Sequence, residues 1–112
     1  MKKIEAIIRS HKIDEVQSAL LEANFSGLTV SEVRGYGRQK GHKEIYRGAE
    51  YNINFVPKAK IELICSDDKL ESAVSIIINN SKTGQVGDGK IFILDVEEAV
   101  RIRTEESGES AI

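Results

Sequence analysis

The chain has 112 residues, with 16 Lys and Arg set against 18 Asp and Glu, a formal net charge of -2 and 40% hydrophobic residues. That length gives one domain with a limited core, which makes oligomers a natural remedy, and the charge balance supplies no basic field for direct nucleic-acid binding. No apolar run approaches the ~18 residues of a membrane span, and Lys2, Lys3 and Glu5 interrupt the first apolar positions, so neither a span nor a signal peptide is read and a cytosolic chain is expected.

In chain order, a strand is expected at about Lys2 to Arg9, then a helix with the apolar stripe Ile13, Val16, Leu20 and Ala23, ended near Gly27. LTVSEV follows as a strand. A connection of about twenty residues from Gly35 to Val56 comes next, longer than compact domains usually carry. It holds Gly35, Gly37, Gly41 and Gly48 beside Arg38, Lys40, Lys43 and Arg47, a mixture suited to movement and to anion binding. EIYRGAEYNINF inside it is also a plausible strand-turn-strand. A strand at about Lys60 to Cys65 leads to a helix carrying Leu70, Ala73, Val74, Ile77 and Ile78, whose start shows capping-box spacing in Asp68 and Glu71. KIFILDV returns as a strand. The single cysteine, Cys65, lies in the apolar run IELIC and suits a small core residue. His11 and His42 lack ligand spacing and suit the surface.

IEAIIRSHKIDEVQSALL aligns with IELICSDDKLESAVSIII, so one β-α-β unit occurs twice. The sum is an α+β, ferredoxin-like βαββαβ domain over residues 1–112. Its strands are apolar on alternate and intervening positions, as in Ile4, Ala6, Ile7 and Ile8, which predicts cover on both sheet faces, one of them by another subunit of a closed, cyclic oligomer.

TGQVGDGKIF invites a phosphate-loop reading, since Gly84, four residues, Gly89 and Lys90 fit the first seven positions of G-x-x-x-x-G-K-[ST]. Ile91 breaks it, having no hydroxyl for magnesium, and the segment after Lys90 reads as a strand where a P-loop opens a helix. What remains is a nest of backbone N–H donors at Gly84, Gly87 and Gly89 with Lys90 as a point charge, or else a plain glycine-rich turn.

Three spaced motifs carry a family resemblance over nearly the whole chain: GRQKGH with YRGAEY, TGQVGDGKIF, and RIRT at Arg101 to Thr104. The sequence resembles the PII signal-transduction proteins, trimeric nitrogen-status sensors, with these motifs as the protruding T-loop (about 37–55), the B-loop (about 82–90) and the C-loop (about 101–104), followed by a short C-terminal strand. The resemblance implies a non-enzymatic homotrimer whose intersubunit clefts bind ATP or ADP. Gly37, Arg38, Gln39, Gly87, Asp88, Gly89 and Lys90 would come from one subunit, and Thr29, Glu62, Ile64, Arg101 and Arg103 from its neighbour. Arg101 and Arg103, placed on one strand, would point the same way.

The resemblance also implies 2-oxoglutarate bound beside ATP through Mg2+, with Gln39 as the protein ligand of the metal. Lys58 would pair with the distal carboxylate, with Arg9, Lys40, Gly41 and Gly87 nearby. Tyr51 matches a tyrosine that many members have modified, and Arg47 is nominated at the loop tip for docking into an ammonium transporter. Nitrogen-metabolism enzymes or regulators are the other implied partners, and a membrane would be met only through a partner. The compartment would be the cytoplasm, or the plastid stroma if the chain is plastid-encoded.

Three positions depart from the family pattern. Ser10-His11 replaces Pro-Phe beside Arg9, Glu105 stands where glycine is usual, and Ala49 replaces a serine phosphorylated in some cyanobacterial members. Two other classes stay open: a nucleotide-hydrolysing enzyme using the Gly84–Lys90 loop, and a trimeric ferredoxin-like protein binding a metal ion.

Overall fold

A computed structural model describes the backbone of residues 1–36, 43–46, 49–52 and 55–112, and the side chains of 1–36 and 55–112. The order is β1 (Lys2–Arg9), α1 (Ile13–Glu22), β2 (Thr29–Tyr36), β3 (Lys43–Tyr46), β4 (Ala49–Asn52), β5 (Phe55–Cys65), α2 (Leu70–Ser81) and β6 (Lys90–Asp95). β2, β5, β1 and β6 form one sheet in that spatial order, every neighbouring pair antiparallel. This is the expected ferredoxin-like α+β arrangement. β3 and β4 pair as a separate two-stranded antiparallel ladder, giving the two strands expected within EIYRGAEYNINF, while residues 47 and 48 between them lie outside the described residues.

The internal repeat extends to the helix starts. Each of β1 and β5 runs into a short 3-10 turn, Ser10–Lys12 or Asp67–Lys69, which passes directly into α1 or α2. The Ser10-His11 departure therefore leaves the start of α1 like that of its repeat. The Asp68–Glu71 capping box does not form. Asp68 lies inside the 3-10 turn, Lys69 occupies the N-cap of α2, and neither start has a side-chain cap. At its other end α1 stops earlier than Gly27 suggested: Asn24 turns left-handed at φ 66°, and the Phe25 N–H bonds to the Leu20 carbonyl at 2.9 Å. Asn tolerates that region better than most side chains. The turn tucks Phe25 into the core, where the sequence had placed Ala23, which is exposed.

Both helices cover one face of the sheet. Ile4, Ala6 and Ile8 of β1 and Ala59, Ile61, Leu63 and Cys65 of β5 meet Val16 and Leu20 of α1 and Ala73 and Ile77 of α2. The period-2 alternation that buries these residues sends their neighbours to the opposite face. There the expectation of a wholly apolar surface needs correction. Lys3, Glu5, Lys60 and Glu62 form a charged ladder, Lys3 lying 3.0 Å from Glu5 and 3.8 Å from Glu62, and Lys60 3.9 Å from Glu62. Ile7 and Ile64 flank the ladder half-buried, and Phe92 and Leu94 on β6 stand exposed beside it. β1 and β5 are thus apolar on both sides only in part, because Lys and Glu at alternate positions neutralise one another across the strands.

The C-terminal segment also differs. RIRT is not a strand: Val100 and Ser107 form an isolated antiparallel bridge, and residues 102–104 make the turn between them. In place of the short C-terminal strand, a 3-10 turn runs from Gly108 to Ala111.

Candidate functional site

The loop from Thr83 to Gly89 is organised by one carboxylate. Asp88 accepts hydrogen bonds from the backbone N–H groups of Thr83 and Gly84, both at 2.8 Å, and from the Thr83 hydroxyl. The same hydroxyl accepts the Gln85 N–H at 3.2 Å. Arg9, at the end of β1, clasps the loop from beneath, its Nε donating to Asp88 at 3.1 Å and its terminal nitrogen to the Val86 carbonyl at 2.9 Å. The Thr83 hydroxyl first, then these backbone donors and Arg9, hold the Asp88 carboxyl far below the usual carboxylate range. Donors to the charged form outweigh the opposing effect of burial.

These bonds decide which backbone donors remain for a ligand. The N–H groups of Thr83, Gly84 and Gln85 are engaged inside the loop, whereas those of Gly87 and Gly89 bond to no acceptor among the described residues. The nest expected at three glycines is therefore centred on Gly87 and Gly89, both at positive φ, 106° and 98°. Gly84 serves the turn with φ 87°. Gly89 is fixed by contact as well as by φ, since a Cβ there would lie 1.7 Å from the Ile7 carbonyl oxygen.

Lys58 completes this edge. It is a buried cation on β5 whose ammonium donates to the Gly87 carbonyl. Its stem lies across Gly35 of β2, where an added Cβ would sit 3.0 Å from Lys58 Cγ. Burial first, and the neighbouring Arg9 second, lower its pKa, against the opposing pull of Asp88. Gly87, Gly89, Lys58 and Lys90 line one side of an open cleft of about 580 Å³, and Ile7, Tyr36, Val56 and Phe92 give it an apolar wall. Backbone donors and cations beside apolar surface suit a ligand with an anionic group and a flat or apolar body.

The P-loop alternative fails on topology. This loop leaves α2 and opens β6, the reverse of a strand-to-helix phosphate loop.

Of the residues singled out in the sequence, the structure brings Arg9, Lys58, Gly87, Asp88, Gly89 and Lys90 together. Thr29 and Glu62 are paired across β2 and β5, on the same sheet face as Ile64. Lys58 lies on that face too, but toward the loop end, and Ile64 stands about 20 Å further along β5 at the rise of a strand. Arg101 is ion-paired with Glu106 at 3.2 Å, and Arg103 is exposed within the C-terminal turn. Gly37, Arg38, Gln39, Lys40, Gly41 and Arg47 lie outside the described residues, as does His42, and Tyr51 lies on β4. Thr83 was missed in the sequence. Its signal was a hydroxyl and a carboxylate bracketing a glycine-rich turn, a pattern that favours local side-chain capping of backbone donors.

Residues 1–106 match the family described as Nitrogen regulatory protein P-II. The chain belongs to the nitrogen regulatory protein P-II family. It is 58% identical over 112 residues to the Nitrogen regulatory protein P-II of Cereibacter sphaeroides, and 57% identical to that of Bradyrhizobium diazoefficiens, with 100% of both chains covered in each case. It is 54% identical to Nitrogen regulatory protein P-II 1 of Escherichia coli, again over the full length of both. P-II proteins are regulators rather than enzymes, and that role implies target proteins. No helix among the described residues is long and apolar enough to cross a membrane.

One departure from the P-II pattern now has a structural meaning. Glu105, where glycine is usual, adopts φ 60°, and its N–H bonds to the Arg101 carbonyl at 2.8 Å. This left-handed turn is one that glycine enters without strain and glutamate does not.

Proposed function

We infer that this P-II protein senses nucleotide and carbon status by binding ATP or ADP in the Lys58–Lys90 cleft and, with Mg-ATP, 2-oxoglutarate. The observation that carries this reading is that Gly87 and Gly89, whose N–H groups are unengaged among the described residues, line the same cleft as the cations Lys58 and Lys90. An N–H nest with adjacent cations suits polyphosphate, and the apolar wall suits a base. The separation of Thr29, Glu62 and Ile64 from the loop along one sheet face supports a cleft completed by a second subunit of a homotrimer, to which Arg101 and Arg103 would add their charges.

Magnesium in this reading is a partner of the nucleotide rather than a resident metal of the protein. A hard cation would take phosphate and 2-oxo acid oxygens with the side-chain oxygen of Gln39, as the family resemblance implies. Lys58 supplies a cation for the distal carboxylate, at the cost of its bond to Gly87. The long segment between β2 and β5 then reports occupancy to targets, among them an ammonium transporter met by Arg47. Tyr51 is the position for covalent modification.

Calorimetric titration tests the nucleotide site. Lys90→Ala and Arg103→Ala should each weaken ATP binding about tenfold or more, as expected for the loss of a charge-assisted contact. Unchanged affinity in both variants would overturn the reading. Sedimentation with transporter-containing membranes tests the partner: Arg47→Ala should lose binding, and binding equal to wild type would exclude docking through that residue.

A further inference from the structure

The Arg9–Asp88 pair occupies an unusual position relative to the proposed nucleotide site. Arg9 makes both of its observed bonds to the Thr83–Gly89 loop, and Asp88 accepts from Thr83, Gly84 and Arg9. Their side chains are only 17% and 23% exposed, so the pair is screened less than a surface ion pair and its geometry is fixed by more than one bond at each end. The consequence falls on the backbone. The first three N–H groups of the loop are directed at Asp88 and Thr83, and the chain then passes at positive φ through Gly87 and Gly89, whose N–H groups bond to no acceptor among the described residues.

Resting on the nucleotide-binding reading above, we propose that Arg9 and Asp88, with Thr83, are positioning residues that hold the Gly87 and Gly89 N–H groups in their anion-binding arrangement. Arg9 acts here through its bonds to Asp88 and the Val86 carbonyl. Asp88 acts through its side chain by shaping the nest, even though it places a negative charge beside the phosphates.

The sign of one substitution separates this from a direct electrostatic role. If the side chains acted on the ligand only through their charge, Arg9→Gln would weaken ATP binding and Asp88→Asn would strengthen it by removing a repulsive carboxylate. Positioning requires both to weaken it. Asn offers a single acceptor oxygen and an NH2 group that clashes in polarity with the N–H groups of Thr83 and Gly84.

The experiment titrates ATP, without 2-oxoglutarate, into the full-length protein and its Arg9→Gln, Arg9→Lys, Asp88→Asn, Thr83→Val and Arg9→Gln/Asp88→Asn variants. Amide hydrogen exchange is followed on the same samples without nucleotide. Arg9→Gln and Asp88→Asn should each lose about tenfold in affinity, the double variant should be no worse than the weaker single one, and Arg9→Lys, able to make one of the two bonds, should lie between. Thr83→Val, which removes a hydroxyl from the hub, should lower affinity a few-fold. Exchange should rise at residues 83–89 in these variants while the β1–β5 ladder stays protected. Tighter ATP binding by Asp88→Asn, or additive losses in the double variant, would overturn the proposal. Absence of ATP binding by the wild-type protein would instead remove the nucleotide reading, and unchanged exchange at residues 83–89 would still overturn the positioning role.

Discussion

Positions with left-handed backbone carry opposite residue choices, glycine at 84 and 89 and glutamate at 105. At Gly89 the carbonyl of Ile7 leaves no room for a Cβ, whereas at Gly84 nothing lies within 4 Å of one. Gly89→Ala should therefore cost about 2–4 kcal/mol, combining the left-handed strain with a steric shift of β1, while Gly84→Ala should cost only about 1 kcal/mol of strain. Urea denaturation of the two variants checks the contrast, and equal losses would contradict it. Glu105 is the reverse case, a glutamate at φ 60° on an exposed turn. Glu105→Gly should stabilise the protein by up to about 1 kcal/mol, the relief of strain being offset in part by the added freedom of the unfolded chain. A lower midpoint in the same denaturation would refute that expectation. Neither contact could be read from residue letters. Gly89 could be marked as part of a nest but not as a neighbour of Ile7, and a glutamate gives no sign of the φ its turn imposes.

Among the elements, β1, both helices and β6 were legible because period-2 and period-3.6 patterns of apolar residues are strong over their lengths. β5 began earlier than expected, since its first residues, Phe55 to Ala59, include Pro57 and Lys58, which do not alternate as a strand should. The Asp68 cap was misread because capping-box spacing does not reveal a 3-10 turn placed ahead of the helix. The Thr83–Gly89 loop was legible as a glycine nest, but its hub depended on bonds from Arg9, a residue distant in sequence. That hub is acid-sensitive in a defined direction. The folded pKa of Asp88 lies below its unfolded value, so its contribution to stability is fully present above about pH 4 and is lost as pH falls further toward the folded value. Amide exchange at residues 83 and 84, corrected for intrinsic rates, should accelerate from about pH 4 downward in the wild type. In Asp88→Asn this acceleration should be absent. The same acid profile in both proteins would assign the effect to another carboxylate.

At the scale of the whole molecule, the open sheet face is the feature most in need of a partner. Phe92 is 50% and Leu94 44% exposed beside the Lys3–Glu5–Lys60–Glu62 ladder, so the single chain leaves apolar surface next to balanced charge. The proposed homotrimer would cover that face and bring the separated halves of the cleft together. Light scattering should give three times the 12.4 kDa of one chain, and Leu94→Glu should shift the mass toward the monomer. A monomeric wild type would contradict the assembly. Sequence periodicity had suggested two buried faces and hence an oligomer, but it overlooked the ladder, because Lys and Glu at alternate positions were outvoted by the isoleucines between them.

The sensing function is tested most directly by titrating 2-oxoglutarate calorimetrically in four solutions: Mg-ATP, Mg-ADP, ATP without magnesium, and no nucleotide. Binding is expected with Mg-ATP alone, because on the proposed reading the cation would be held jointly by ATP, the 2-oxo acid and Gln39, and Lys58→Met should abolish it. Equal binding in the Mg-ADP or magnesium-free solution, or full affinity in Lys58→Met, would contradict it.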